Sequence, residues 1–229
     1  MTGPELSTRL AALRDAISQC ERSSDRDQGS VALLPVTKGH PPEVAELAVA
    51  AGLSVLGENY VQECLTKAAL LAAAGAGPVR WRLLGHLQRN KVGRAVEIFS
   101  AIESLDSWEL AQRLSQARAG RPPLPVLCEV ELTGLPRRTG FSEAQLVVDL
   151  ERLVDLPGIE VTGLMTVAGP SNPGPTFAAA RDLLELLRQR SGLPLSTLSM
   201  GMSADFQVAI AEGSTEVRIG SLLFGRRAD

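Results

Sequence analysis

Apolar residues in this chain gather into short unbroken runs, separated by longer stretches in which they return at helical spacing. The runs Val31–Thr37, Ser54–Gly57, Arg80–Gly85, Phe99–Glu103, Pro125–Leu132, Val161–Val167, Thr197–Met200 and Val217–Ile219 read as β-strands. Unbroken rather than alternating runs are what a parallel sheet needs when both of its faces are covered. Pro35 is a blemish in the first run, because it brings no N–H to a ladder.

The intervening stretches carry helix punctuation. Pro41-Pro42 opens a helix that stops at Gly52, with Pro in the first turn and Gly past the end. Asp106 with Glu109, and Ser142 with Gln145, have the spacing of capping boxes. Leu146, Leu150, Leu153 and Val154 then follow one helical face. Pro175–Gly192 reads as an amphipathic helix with Phe177, Leu183, Leu184 and Leu187 toward the core, and an extra helix over Ser7–Arg22 precedes the first strand. Ala72–Pro78 and Gly169–Pro175 read as loops. Eight strands, with a helix after each of the first seven, predict an α/β fold: a (β/α)8 TIM barrel rather than an open doubly wound sheet. No internal repeat or linker divides the chain, so residues 1–229 are expected to form a single domain.

Composition narrows the function classes. A net charge of −3 without a basic run argues against nucleic acid and acidic membrane surfaces as partners. Cys20, Cys64 and Cys128 form no CxxC pair, and His40 and His86 are the only histidines, which points away from a disulfide framework or a zinc site. No run approaches membrane-spanning length, and Met1–Arg14 has no apolar h-region, so a soluble, cytoplasmic protein is expected. Lysine is rare: Lys38, Lys67 and Lys91 stand against twenty arginines. A lysine closing an apolar run therefore needs its own explanation.

Lys38 is such a lysine, followed by the turn residues Gly-His-Pro-Pro. The C-terminal ends of barrel strands form the active face, and an amine desolvated there becomes a nucleophile toward an aldehyde. Position alone reads equally well as a lysine snorkelling at a strand terminus. Met200–Asp205 turns from the seventh strand into a helix with Ser203 expected at its N-cap, and Gly220-Ser221 closes the eighth strand. Two tight turns at this place suit a phosphate, although Ser203 as a plain cap needs no ligand. Arg218 lies within an apolar strand and needs an acceptor, for which Glu216 and a cofactor ring nitrogen are the two choices. Asn59 and His86 follow the second and third strands, with helix capping and a satisfied structural role as their plainer readings. Met165 reads as core packing, and Asp205 as a first-turn carboxylate favoured by the helix dipole.

The segments VTKGHPP (36–42), GENYVQE (57–63), WRLLGHLQRNK (81–91), GLMTVA (163–168), LSMGMSADFQVAIAEGSTEVRIG (198–220) and FGRR (224–227) occur in one order across nearly the whole chain. As an ordered set they resemble the pyridoxal phosphate homeostasis family (YggS/PROSC-like), related to the N-terminal domain of alanine racemase. The resemblance implies a barrel holding pyridoxal 5′-phosphate (PLP) as a Schiff base on Lys38. It also implies phosphate contacts from Ser203, Gly220 and Ser221, Arg218 facing the pyridine nitrogen, and Asn59 and His86 near the cofactor. The implied role is to hold, buffer or deliver the cofactor to PLP-dependent apoenzymes, as a monomer. The sequence departs from the family pattern at 131–140, where Glu131 and Leu135 replace an Asn and an acidic residue while Arg138 keeps the cation. An arginine at the ring nitrogen weakens the cofactor as an electron sink, and Tyr60, the only tyrosine, stands in the barrel rather than on a second domain. A carrier without robust turnover is thus expected, against a weak amino-acid racemase or a barrel enzyme without PLP such as an aldolase.

Overall fold

A computed structural model describes residues 1–226. Arg227, the last residue of the FGRR segment, lies outside them. The order is α1 (Gly3–Ser23), β1 (Ala32–Pro35), α2 (Pro42–Ala50), β2 (Val55–Glu58), α3 (Val61–Ala73), β3 (Arg80–Leu83), α4 (Val92–Ile98), β4 (Phe99–Leu105) and α5 (Trp108–Ala117). It continues with β5 (Leu124–Glu129), α6 (Glu143–Val154), β6 (Ile159–Met165), α7 (Gly174–Ser191), β7 (Thr197–Ser199), α8 (Phe206–Ala211), β8 (Glu216–Ile219) and α9 (Ser221–Phe224). The strands are parallel and run in the order β1-β8-β7-β6-β5-β4-β3-β2, with a bridge between Val36 and Gly57 bringing the two ends together. All eight expected strands are present, in a nearly closed (β/α)8 barrel preceded by the extra helix.

Pro35 is tolerated because of where its nitrogen points. The Ala32 amide donates to Thr215 just before β8 and the Val36 amide to Ile219 of β8, and the Thr37 amide donates to Gly57 of β2. By alternation the nitrogen of Pro35 faces β2, the seam at which pairing is reduced to one bridge. The missing donor falls where the sheet needs it least. At the β6–β7 seam, Gly163 sits at φ +156°, and a Cβ there would lie 1.8 Å from the Thr197 carbonyl oxygen, so a side chain would push the two strands apart.

The barrel interior is polar at one level. Arg82 of β3 pairs with Glu216 of β8 and with Glu103 of β4, and Ser199 of β7 donates to Glu103 (2.7 Å). None of the contacts to β8 and β7 joins neighbouring strands, so these side chains meet across the barrel. Arg82 Nε and Glu103 Oε1 lie 3.0 Å apart at an angle too bent for a hydrogen bond, leaving an ion pair.

The capping box at Ser142 and Gln145 is present. The one expected at Asp106 and Glu109 is not: Ser107 stands at the N-cap of α5, and Asp106 is held instead by His86 and the Ser107 hydroxyl. Helix α1 starts four residues earlier than expected, because Thr2 and Glu5 form a capping box that the apolar pattern does not signal. Of the α6 face, Leu146, Leu150 and Leu153 are buried, whereas Val154 lies at the exposed end of the helix.

Candidate functional site

A cavity of about 800 Å³ opens at the C-terminal ends of the strands. Its polar wall comes from one arc of the rim: Lys38 and His40 after β1, Asn59 after β2, Ser203 after β7, and Arg218, Gly220 and Ser221 from β8 and its turn. Leu84, Met165 and Val167 supply apolar wall. Six of the seven residues marked in the sequence thus line one space. Met165 both packs in the core, at 2% exposure, and faces the cavity.

Each element has a local reason for its course. Beyond β1 the His40 amide closes a turn on the Thr37 carbonyl (3.1 Å), with Gly39 at φ +68°, a conformation glycine adopts without strain. After β2, a Cβ at Gly85 would come within 2.3 Å of the Asn59 carbonyl oxygen, so the glycine lets the two loops touch. The Asn59 Oδ1 atom is buried with no hydrogen-bond partner. Such an atom on a cavity wall asks for a polar ligand.

Ser203 is not an N-cap. Asp205 holds that position for α8, and its carboxylate reaches back to the Met202 amide (2.6 Å), tightening a turn of which Ser203 is a middle residue. The Ser203 hydroxyl accepts from the Leu222 amide (3.3 Å), which ties the turn after β7 to the one after β8. Its own proton stays available for a further acceptor.

Arg218 finds acceptors within the protein, though not the one considered in the sequence. Its guanidinium donates to Ser199 Oγ (2.9 Å) and to the Thr166 carbonyl (2.9 Å), while Glu216 is taken by Arg82. Burial lowers the Arg218 pKa, and Glu103 and Glu216 oppose that. Burial pushes the Glu216 carboxyl well up, with the Glu103 charge adding to it. The cation on the cavity wall is thus held by a hydroxyl and a carbonyl of the barrel interior, with the Glu103 and Glu216 charges favouring its charged form.

His86 does not line the cavity. Its side chain is 55% exposed, and its Nδ1 atom lies 2.6 Å from Asp106 Oδ2. Glu129, at the end of β5, accepts from Thr139 (3.2 Å), and burial followed by the Asp106 charge raises its pKa. In the departing segment 131–140, Glu131 bonds the Thr133 amide and hydroxyl, and Arg138 reaches the Ala168 carbonyl (3.4 Å). Burial pushes the Cys64 and Cys128 thiols up, the latter to about 12, so neither is a ready nucleophile. Among the described residues no group of three His, Cys, Asp or Glu side chains is placed to hold a metal ion, and no helix is long and apolar enough to cross a membrane.

Sequence reasoning missed His40, Met202, Gly225 and Arg226 as lining residues. His40 lay within the HPP turn and needed only its distance from the strand end to be noticed. Gly225 and Arg226 lie beyond the last strand, where barrel geometry alone marks nothing.

Comparison with known proteins shows which family shares this barrel. The family model of the alanine racemase N-terminal domain matches residues 9–228. A pyridoxal phosphate homeostasis protein of Pseudomonas aeruginosa is 39% identical over 223 residues, covering 97% of this chain and 96% of that protein. Its namesake in Escherichia coli K12 is 34% identical over 227 residues, covering 97% of both. The solved structure of PipY from Synechococcus elongatus, with PLP bound, superposes with a TM-score of 0.84 at 39% identity, covering 96% of this chain and all of that one. An alanine racemase of Clostridium difficile shares the fold, with a TM-score of 0.74 at 16% identity over 99% of this chain and 58% of that one.

Proposed function

This chain belongs to the pyridoxal phosphate homeostasis family, within the alanine racemase N-terminal domain group, and on that premise we propose that it binds PLP through Lys38 to hold and hand on the cofactor. The observation that carries the proposal is the gathering of Lys38, Ser203, Gly220 and Ser221 around one cavity. The residues suit the group: an amine for its aldehyde, two joined turns for its phosphate, a buried cation for its ring, and the unpartnered Asn59 oxygen. Lys38 would hold the group through its amine, the nucleophile that suits an aldehyde. Ser203, with the turn amides, would hold the phosphate through its hydroxyl proton, and Arg218 would supply a fixed charge to the ring. Bound PLP contributes an electrophilic carbon that stores itself reversibly on the amine.

Holding the cofactor rather than racemising with it fits the position of Tyr60, which is 65% exposed and does not line the cavity. A second base on the opposite substrate face, which racemisation needs, has no candidate in that tyrosine. The reading extends to a cytoplasmic, monomeric protein of vitamin B6 metabolism, one unit over residues 1–229, whose partners are PLP-dependent apoenzymes.

The test is spectroscopic. Wild type mixed with PLP develops a visible absorption band, borohydride bleaches it, and mass mapping finds the phosphopyridoxyl group on Lys38. Lys38→Ala loses the band entirely. A label on another residue, or an unaltered band in the variant, refutes the assignment.

A further inference from the structure

Lys67 is among the most deeply buried side chains of the protein, at 1% exposure, although it is a lysine in a chain that makes nearly all of its positive charge from arginine. It projects from α3, and all three of its protons are used. Nζ donates to the Thr37 carbonyl, to Glu58 Oε1 and to Glu63 Oε1, each at 2.6 Å. Thr37 Oγ1 also donates to Glu58 Oε1 (2.6 Å), and the Gly39 amide donates to Glu63 Oε1 (2.7 Å). The two peptide groups that flank Lys38 are therefore both tied to this cluster. The 37–38 carbonyl is bonded to the ammonium itself, and the 38–39 amide to a carboxylate that the ammonium holds.

Burying an ammonium is costly unless it is paired and fully hydrogen-bonded, and such an arrangement is weak evidence for added stability. An apolar residue would have filled the same space. What the ammonium supplies is direction: three acceptors converge on a compact tetrahedral donor at a spacing that a planar guanidinium fork does not match. A chain rich in arginine has kept a lysine where only a lysine fits.

We propose that Lys67 is a positioning residue for Lys38, its ammonium clamping the peptides on either side so that the amine is presented into the cavity at the angle aldehyde capture requires. The proposal rests on the assignment of Lys38 above. The cluster touches neither the turn after β7 nor the turn after β8, so the phosphate grip is independent of it. Capture of the aldehyde depends on the clamp and recognition of the phosphate does not.

The test compares two probes on folded protein: PLP, which bears the aldehyde, and pyridoxine 5′-phosphate, which carries an alcohol in its place. Glu63→Ala removes one acceptor and the Gly39 tether at a half-buried position, and serves if Lys67→Met fails to fold. In both variants the affinity for PLP and the rate at which the visible band appears are expected to fall about tenfold or more, while the affinity for pyridoxine 5′-phosphate stays within about twofold of wild type. Lys67→Arg keeps the charge and is expected to fail as Met does, whereas Glu63→Gln keeps the acceptor oxygen and is expected to restore much of the rate. Parallel loss of both probes, unchanged capture of PLP, or full rescue by Lys67→Arg overturns the proposal. Absence of a borohydride-fixed label on Lys38 in wild type overturns the assignment beneath it instead, so the two failures are told apart.

Discussion

The rim of the barrel divides into two arcs of different chemistry. The arc after β7, β8, β1 and β2 carries Ser203, Gly220, Ser221, Lys38 and Asn59, all lining the cavity, and its two turns are joined by the bond from Leu222 to Ser203. The arc after β3, β4 and β5 carries His86, Asp106 and Glu129, which interact with one another and contribute nothing to the cavity wall. In the proposed function the first arc is the one that grips, through donors, a hydroxyl and an amine. The second holds the acid and base groups from which turnover would draw, turned toward each other. Their separation is what the proposed carrier role rests on here, and it makes the two arcs testable against each other.

The sharpest way to break the division is Ser203→Ala. A hydrogen bond from a hydroxyl to a phosphate dianion contributes on the order of 1.5–3 kcal/mol, so the affinity for PLP should fall roughly 10- to 150-fold. Loss of the acceptor for the exposed Leu222 amide should cost the fold about 1 kcal/mol or less in urea denaturation. An unchanged Kd would remove Ser203 from the gripping arc. His86→Ala is the matched change on the other side. The imidazole is 55% exposed and the largely buried Asp106 side chain keeps the Ser107 hydroxyl, so stability should fall by about 1–2 kcal/mol, and titration with PLP should return an affinity within about twofold of wild type. A tenfold loss there would erase the boundary between the arcs.

The same boundary separates what was legible in the sequence from what was not. Strand ends can be read from apolar runs, and in a barrel every strand end lies on the active face. Lys38, Asn59, Ser203, Arg218, Gly220 and Ser221 were therefore within reach, but so was His86, because chain position puts a residue on the rim without saying which way it leans. The short carboxylate contact that draws His86 away comes from Asp106, whose spacing to Glu109 suggested a helix cap. Long-range pairing overrode a local signal there, whereas at Ser203 one local signal displaced another: the Met202 amide donates to Asp205, which stands at the start of α8 instead. The partners of Arg218 were hidden by long-range pairing too: Ser199 and Thr166 reach it from other strands of the barrel. Lys67 gave no usable signal, since nothing in a helical VQECLTK stretch says that its ammonium is buried against the end of β1.

Glu129→Gln offers the smallest effect and the cleanest separation. The carboxyl of Glu129 has its pKa raised in the folded protein by burial and by the Asp106 charge, opposed by Thr139, Arg218 and His86. A carboxyl with a raised pKa binds its proton more tightly folded than unfolded, so its contribution is fully present below the unfolded value of about 4.3 and is lost as pH rises through the folded value. Glutamine keeps an acceptor for Thr139 and removes the titration. The variant should therefore gain on wild type, in urea midpoint, as pH is raised from about 4.5, while both proteins share the downward pull of Glu58 and Glu216, whose carboxyls burial also raises. At neutral pH the same variant should bind PLP within about twofold of wild type, because Glu129 does not line the cavity. A variant that loses ground as pH rises would reverse the sign assigned to this carboxyl. One that binds PLP tenfold more weakly would place Glu129 in the gripping arc, and the division of the rim would then fail at its acidic side.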